Sequence, residues 1–258
     1  MTERAWTAFC AARERYRAYT ETLAKTLGGG CIQRLVDGRK GPSYTVETPV
    51  LYNYALDEVD RRADVRLILV ADNPGRREQA AENRRYLVGP SGKIAEKFFR
   101  EQLGVDFRRQ VLILNKTPIH TPRTAELREL CRLGGESAAR AVSESQRVMA
   151  ELLFAFQKAL SPEYAAKPAG AFPSARAALP VWIIGYSEMK KGGLFEGYTE
   201  TIKSLYATSP LLERLFFYRH FSMNQFTIDL NKQRRPEEDL APCLKRIGEA
   251  YRRRFLQM

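Results

Sequence analysis

The chain of 258 residues contains only two histidines and four cysteines, and this scarcity limits the chemistry it can perform. The cysteines stand far apart and lack the paired spacing that is typical of zinc or iron–sulfur ligands. They are Cys10, Cys31, Cys131 and Cys243. We therefore expect four unpaired thiols and no metal centre.

Long apolar segments are also missing. No run approaches the roughly 20 residues that span a bilayer, and residues 1–16 mix charge with apolar positions where a signal peptide needs an apolar core. The sequence therefore predicts a cytoplasmic protein without membrane contact.

Positive charge is in excess. Lysine and arginine number 42 against 30 aspartates and glutamates, which gives a formal net charge of +12. Such an excess favours a polyanionic partner such as nucleic acid, but a solvated basic surface would give the same count. Charge supports the nucleic-acid interpretation without establishing it.

Four short apolar segments alternate with helical patterns. The apolar segments are 65–71, 111–115, 181–185 and 215–220, and the helical patterns cover 6–27, 94–103, 136–160 and 237–256. Uniformly apolar strands between helices are typical of a parallel sheet covered on both faces. We expect an α/β fold in three layers, α/β/α, around a central, mainly parallel four-stranded sheet. A single domain would span 1–258, with 1–64 as an N-terminal extension packed on it and 161–180 as a long connection.

Polar residues follow directly on three of the predicted strands. Asp72 and Asn73 come after the first, Asn115 ends the second and His220 ends the fourth. Because ligands bind beyond the carboxyl ends of parallel strands, we expect these side chains to meet at one site. Each residue taken alone also fits an ordinary structural role as a turn, cap or core residue.

A glycine-rich segment at 88–93 suggests a phosphate loop, but the motif does not fit. Leu87 stands where its first glycine would be, and Ile94 follows Lys93 in place of the serine or threonine that binds magnesium. Magnesium nucleotide binding is therefore not expected. The glycines still allow close approach of the backbone to a ligand, and a plain turn before a helix fits equally well.

Five segments share their order and their placement after strands with a known family. They are 69–75 (Leu-Val-Ala-Asp-Asn-Pro-Gly), 85–92 (Arg-Tyr-Leu-Val-Gly-Pro-Ser-Gly), 111–115 (Val-Leu-Ile-Leu-Asn), 184–185 (Ile-Gly) and 218–222 (Tyr-Arg-His-Phe-Ser). Together they resemble the signature segments of the uracil-DNA glycosylase superfamily over about residues 65–225. The first segment is similar to the mismatch-specific and single-strand-selective branches. The second is similar to the thermophilic iron–sulfur branch, whose cysteine cluster this chain lacks.

The resemblance implies a monomeric, monofunctional DNA glycosylase that releases uracil or another deaminated base during base excision repair. Asn73 would hold the attacking water, with Asp72 as the alternative base. Asn115 would hydrogen-bond the flipped base, and His220 would donate to its O2 and stabilise the leaving group. No metal or organic cofactor is needed. No lysine stands at a motif position that suggests a Schiff base, so strand nicking is not expected.

Two departures from the family pattern affect the pocket. Leu87 occupies the position of an aromatic ring that stacks on the base, so either neighbouring Tyr86 takes over stacking or the pocket is altered. Phe221 replaces a proline in the histidine motif, which is expected to loosen that loop. The second histidine, His120, is expected in an exposed or DNA-facing loop.

DNA contacts are expected from the motif loops and the basic residues near them. The predicted DNA-binding residues are Gly89, Ser91, Lys93, Lys116, Arg219, Ser222, Met223 and Asn224, with Arg76, Arg77, Arg85 and Lys190 as further phosphate contacts. Met223, Asn224 or Gln225 is expected to be the wedge, a side chain that enters the duplex when the base flips out. Two alternatives remain open. One is a catalytically weak nucleic-acid-binding module that retains the glycosylase fold, and the other is a hydrolase of free nucleosides or nucleotides.

Overall fold

A computed structural model describes residues 1–39, 42–161 and 178–257 of the chain. The strands are β1 (Leu67–Ala71), β2 (Val111–Asn115), β3 (Val181–Ile184) and β4 (Leu215–Tyr218). The helices are α1 (Glu3–Leu27), α2 (Gly29–Gly38), α3 (Arg76–Gln79), α4 (Pro90–Leu103), α5 (Glu126–Leu160), α6 (Glu196–Tyr206), α7 (Gln225–Gln233) and α8 (Leu240–Leu256). Among the helices of these ranges, none combines the length and apolarity needed to cross a bilayer.

The four strands form one sheet in the order β2-β1-β3-β4, and all of its pairings are parallel. Ala71 pairs with Asn115 at the carboxyl end of β1 and β2, and Ile184 pairs with Tyr218 at that of β3 and β4. Every residue of the four strands is buried, which explains why the segments are uniformly apolar. The predicted three-layer α/β/α fold with a parallel four-stranded sheet is confirmed.

Aromatic side chains attach one helical layer to the sheet. Trp182 of β3 lies 5.2 Å from Phe99 of α4 and 5.9 Å from Phe226 of α7, measured between ring centroids. Gly248 of α8 lies against Tyr218 of β4, where a Cβ atom would come within 2.7 Å of the phenolic oxygen. The opposite layer is built around α5, against which α1 and α6 pack.

The predicted element bounds differ from the observed ones mainly at helix starts. Helix α1 ends at Leu27, and Gly28 follows with φ 65° and ψ 133°, a positive-φ conformation that favours glycine, but a further helix begins at once. Helix α5 starts ten residues before the predicted 136–160, although Gly135 interrupts it with φ 63° and ψ −154°. Helices α2, α3, α6 and α7 were not predicted. Most of the predicted connection 161–180 lies outside the described residues.

The N-terminal segment contributes to the same hydrophobic core as the sheet. Phe9 and Tyr16 of α1 are fully buried, and the Tyr16 hydroxyl is hydrogen-bonded to that of Tyr86. Phe9 lies 5.3 Å from Phe156 of α5 between ring centroids. Phe9 of α1 therefore packs against α5 within the hydrophobic core of the protein.

Gly185 follows β3 with φ 78° and ψ 44°, and a Cβ atom there would lie 2.5 Å from Oδ1 of Asp72. Gly185→Ala should therefore lower the free energy of unfolding by about 2 to 3 kcal/mol, of which about 1 kcal/mol comes from the left-handed backbone. Gly192→Ala is the matched control, because Gly192 has φ 71° and nothing within 4 Å. Urea unfolding measures both. If both variants lost the same free energy of unfolding, the destabilisation of Gly185→Ala would not come from crowding against Asp72.

Candidate functional site

A cleft of about 450 Å³ opens at the carboxyl edge of the sheet. Its walls come from the segments that follow β1, β2 and β4 and from the start of α4. The predicted residues in these walls are Asp72, Asn73, Arg76, Arg77, Leu87, Gly89, Ser91, His220 and Ser222. Segments far apart in sequence thus meet where ligands bind in parallel α/β sheets.

Asn73 is held by two threonines from the loop after β2. Its Nδ2 donates to Oγ1 of Thr121 at 2.9 Å, and its Oδ1 accepts from Oγ1 of Thr124 at 2.9 Å. Both threonines also line the cleft. Sequence reasoning missed them, and the only signal was a pair of threonines around Pro122 in a loop beyond a strand. The carboxamide is therefore fixed at the cleft wall.

His220 presents a hydrogen-bond donor. Its Nδ1 accepts from the backbone N–H of Ser222 at 3.0 Å, so a neutral ring has its proton on Nε2. Burial lowers the pKa of His220, while the charges of Asp72 and Lys116 act in opposite directions on it. The side chain is therefore a neutral imidazole near neutral pH, with an N–H to offer a ligand.

Lys116 is fully buried and pairs with Asp72. Its Nζ donates to Oδ1 of Asp72 and, at 2.6 Å, to the carbonyl oxygen of Ile184, and it lies 4.9 Å from the ring centroid of Phe195. Burial lowers the pKa of Lys116, and the Asp72 carboxylate raises it. The predicted phosphate contact of Lys116 is incompatible with this burial. Asp72 serves as the counter-ion of a buried cation, which makes it a poor candidate for the alternative base.

Asn115 ends β2 and has an unpaired side chain. It is 1% exposed, and within the described part of the chain neither Nδ2 nor Oδ1 has a hydrogen-bond partner. It pairs in register with Ala71, which lines the cleft, although Asn115 itself is not part of the cleft wall. A buried polar group without a partner costs about 1 to 3 kcal/mol. This amide therefore keeps both a donor and an acceptor available to a ligand that penetrates beyond the cleft wall.

Tyr86 cannot stack on a base in the cleft. It is buried among core residues, and its hydroxyl donates to the carbonyl oxygen of Leu51 at 2.7 Å. Leu87, at the position of the usual ring, lines the cleft with φ 55°, and its carbonyl oxygen occupies the space that a Cβ atom at Gly92 would need. No phenylalanine, tyrosine or tryptophan is present among the described residues that line the cleft. Of the two alternatives, stacking by Tyr86 or an altered pocket, the structure supports the altered pocket.

Phe221 anchors the histidine loop instead of loosening it. The side chain is fully buried and stacks on Phe226 with ring centroids 4.3 Å apart and an interplanar angle of 20°. It also lies 6.0 Å from Phe98 of α4 between centroids. Apolar packing therefore supplies the restraint that proline supplies through its ring, and the expected loosening is wrong.

The tip of the histidine loop projects into solvent. Met223 is 85% exposed, and it and Asn224 have φ values of 50° and 55°. Gln225 directly follows as the first residue of α7. An exposed methionine beside the cleft is compatible with the predicted wedge.

His120 is buried, contrary to the predicted exposed loop. Its Nδ1 donates to the carbonyl oxygen of Pro74 at 2.8 Å, and its Nε2 accepts from the Tyr44 hydroxyl at 2.9 Å. Burial lowers the pKa of His120 to about 4, so the ring is neutral. It supports the turn that follows Asn73.

Glu78 is a cleft residue that sequence reasoning missed. It belongs to α3, is buried, and its Oε2 accepts from the backbone N–H of Gly75 at 3.2 Å. Burial raises the pKa of Glu78 to about 7, although hydrogen bonds from the backbone of Gly75 and Leu87 act against this rise. The glutamate three residues after Gly75 was the available signal, because that spacing is typical of a capping box.

Arginines contribute most of the positive charge at the cleft. Arg76, Arg77 and Arg123 line it, and Arg123 was not predicted. The remaining predicted basic residues lie outside the cleft wall: Lys93, Lys190 and Arg219 are exposed, and Arg85 pairs with Glu58. The cleft wall is thus more basic than its two predicted arginines imply.

The chain was also compared with known proteins. No family model and no curated protein matches it. A function is therefore inferred from the cleft and the motif resemblance alone.

The pKa of Glu78 generates a pH-dependent stability. Between its ordinary value of 4.5 and about 7, the folded protein holds a proton that the unfolded chain has released. The free energy of unfolding should therefore fall as pH rises through this window, by up to about 3 kcal/mol from this group. Glu78→Gln should remove that fall, and Glu82→Gln, at an exposed position, is the control. Chemical unfolding from pH 4.5 to 7.5 measures how the free energy of unfolding depends on pH. Parallel curves for wild type and Glu78→Gln would rule out the assigned effect of Glu78.

Proposed function

We propose that this protein is a monofunctional DNA glycosylase that resembles the uracil-DNA glycosylase superfamily and hydrolyses the N-glycosidic bond of uracil or another deaminated base. The observation that carries the proposal is that Asn73 and His220 line one cleft with complementary polarity. Asn73 offers an acceptor to a water molecule, and His220 offers a donor to a base. These two roles are what hydrolytic release of a base requires.

In the proposed reaction the C1′–N bond breaks first, and its electron pair leaves with the base. The Nε2–H of His220 donates to a carbonyl oxygen of the base and stabilises the developing negative charge. A water molecule held by Asn73 then bonds to C1′, and its surplus proton passes to the departing base or to solvent. Because a carboxamide cannot accept the proton, this path relies on orientation more than on base strength.

Asn115 supports recognition of a pyrimidine. Its carboxamide can accept from an N3–H and donate to O4, whereas cytosine presents the opposite polarity at both positions. The buried, unpaired state of this amide favours a ligand role over a structural one. A base that reaches it must penetrate deeper than the open cleft.

The arginines of the cleft suit a phosphate backbone. Arg76, Arg77 and Arg123 would supply affinity that falls as salt concentration rises, without reading sequence. The exposed Met223 would enter the space left by the flipped base, which offsets part of the unstacking cost of a few kcal/mol.

A specific observation favours a second candidate, a nucleic-acid-binding module with weak or no catalysis. The described lining of the cleft contains no phenylalanine, tyrosine or tryptophan ring to stack on a flipped base, and Asn115 is closed off from the cleft wall. Such a module would bind DNA in a salt-sensitive manner without producing abasic sites.

Excision assays separate the two candidates. Labelled oligonucleotides that contain uracil, hypoxanthine or xanthine, single-stranded or opposite each base, are incubated with protein and then cleaved at abasic sites with hot alkali. Wild type should cleave at least one of them. Asn73→Ala and His220→Ala should each lower the rate at least about 100-fold, because each removes a group that acts in the transition state. Asn231→Ala, on the exposed face of α7, is the control. Salt-sensitive binding without any cleavage would overturn the proposed glycosylase activity and favour the nucleic-acid-binding module.

The unpaired amide of Asn115 predicts opposite effects on stability and activity. Asn115→Leu replaces it with an apolar side chain of similar size, so the free energy of unfolding should rise by about 1 kcal/mol. Excision should fall to background because the base loses its hydrogen-bonding partner. Thermal unfolding and the oligonucleotide assay measure the two effects. A variant that is less stable yet fully active would contradict the assigned role.

A further inference from the structure

We propose that Thr121 and Thr124 are positioning residues that fix the orientation of the Asn73 carboxamide, so that its oxygen and not its nitrogen faces the attacking water. The three side chains line the same cleft. This inference rests on the proposed glycosylase function and adds a specific cause for the geometry of its water-binding residue.

Thr121 determines where the amide nitrogen lies. Its hydroxyl donates to the carbonyl oxygen of Arg123 at 2.9 Å, so its only proton is already used. Its Oγ1 can therefore only accept from Asn73, and the group 2.9 Å away must be the Nδ2–H₂ end of the amide. An inverted amide would place two acceptors against each other at this contact.

The same nitrogen has further acceptors nearby. The carbonyl oxygens of Pro74 and Ile119 each lie 3.4 Å from Nδ2. The two N–H groups of the amide are thus directed at protein oxygens on that side. The nitrogen end has no donor left for a water molecule in the cleft.

Thr124 holds the other end. Its hydroxyl donates to Oδ1 of Asn73 at 2.9 Å, which occupies one of the two lone pairs of that oxygen. The unused hydrogen-bonding capacity of the carboxamide is therefore a single acceptor site. A water molecule that donates there keeps both lone pairs of its own oxygen available for C1′, whereas an amide N–H would occupy one of them.

The loop that bears the threonines is restrained at its far end. The backbone N–H of Arg123 donates to Oε2 of Glu126 at 3.0 Å, and Glu126 is the first residue of α5. Pro122 fixes one backbone torsion between the two threonines. Thr121 and Thr124, which together form a clamp on the Asn73 carboxamide, are thus attached to a core helix on one side and to β2 on the other.

The test uses substitutions that remove only the hydroxyl groups. Thr121→Val and Thr124→Val should each lower the single-turnover excision rate about 10-fold, the effect of losing one hydrogen bond, with unchanged affinity for an oligonucleotide that contains a tetrahydrofuran abasic analogue. Thr121→Ser and Thr124→Ser should restore the rate. Thr201→Val, which removes an exposed hydroxyl bonded to its own helix at Gly197, is the matched control.

A double substitution tests whether the threonines act through Asn73. In an Asn73→Ala background, Thr124→Val should cause no further loss of rate. A further 10-fold loss would overturn the clamp, because Thr124 would then act independently of Asn73. Normal rates in both valine variants of an active enzyme would overturn the clamp alone. Absence of excision by wild type would overturn the glycosylase function and the clamp together.

Discussion

The buried ion pair between Lys116 and Asp72 is the interaction on which the geometry of the cleft depends. Asp72 follows β1, Lys116 follows β2, and the ammonium group also binds the carbonyl oxygen at the end of β3. The backbone N–H of Lys116 in addition donates to the carbonyl oxygen of Ala71 at 2.9 Å. One side chain thus joins the ends of three neighbouring strands. Removing Asp72 leaves the fully buried ammonium group of Lys116 uncompensated, a loss of about 3 to 5 kcal/mol.

The pair also explains why His220 can be neutral beside two ionised groups. A carboxylate near an imidazole favours its protonated form, and an ammonium group opposes it. Because the two charges act in opposite directions on the pKa of His220 and burial is the largest influence, desolvation decides its protonation state. A lone Asp72 would shift the ring toward imidazolium, which would be a stronger donor but would also repel the surrounding arginines. The neutral donor is therefore a consequence of having both charges near the histidine.

The sequence predicts the sheet well because burial on both faces requires uniformly apolar strands, and this pattern is visible without knowing any partner. It also places Asn73 and His220 in one cleft, since both follow parallel strands. It fails where exposure depends on a distant residue. The burial of Lys116 depends on a carboxylate 44 positions earlier, and that of His120 on a tyrosine 76 positions earlier. No local pattern contains that information.

The two left-handed residues at the tip of the histidine loop have an energetic consequence. A non-glycine residue in this region of torsion space is about 1 kcal/mol or more above its preferred conformation. Met223 and Asn224 are kept there because Phe221 before them is buried and Phe226 after them donates its backbone N–H to the His220 carbonyl oxygen at 3.0 Å. The backbone at the tip of the loop is therefore strained. A contact that lets these two residues return to an ordinary backbone conformation releases this free energy. The release would offset part of the free energy needed to insert the loop tip into a partner.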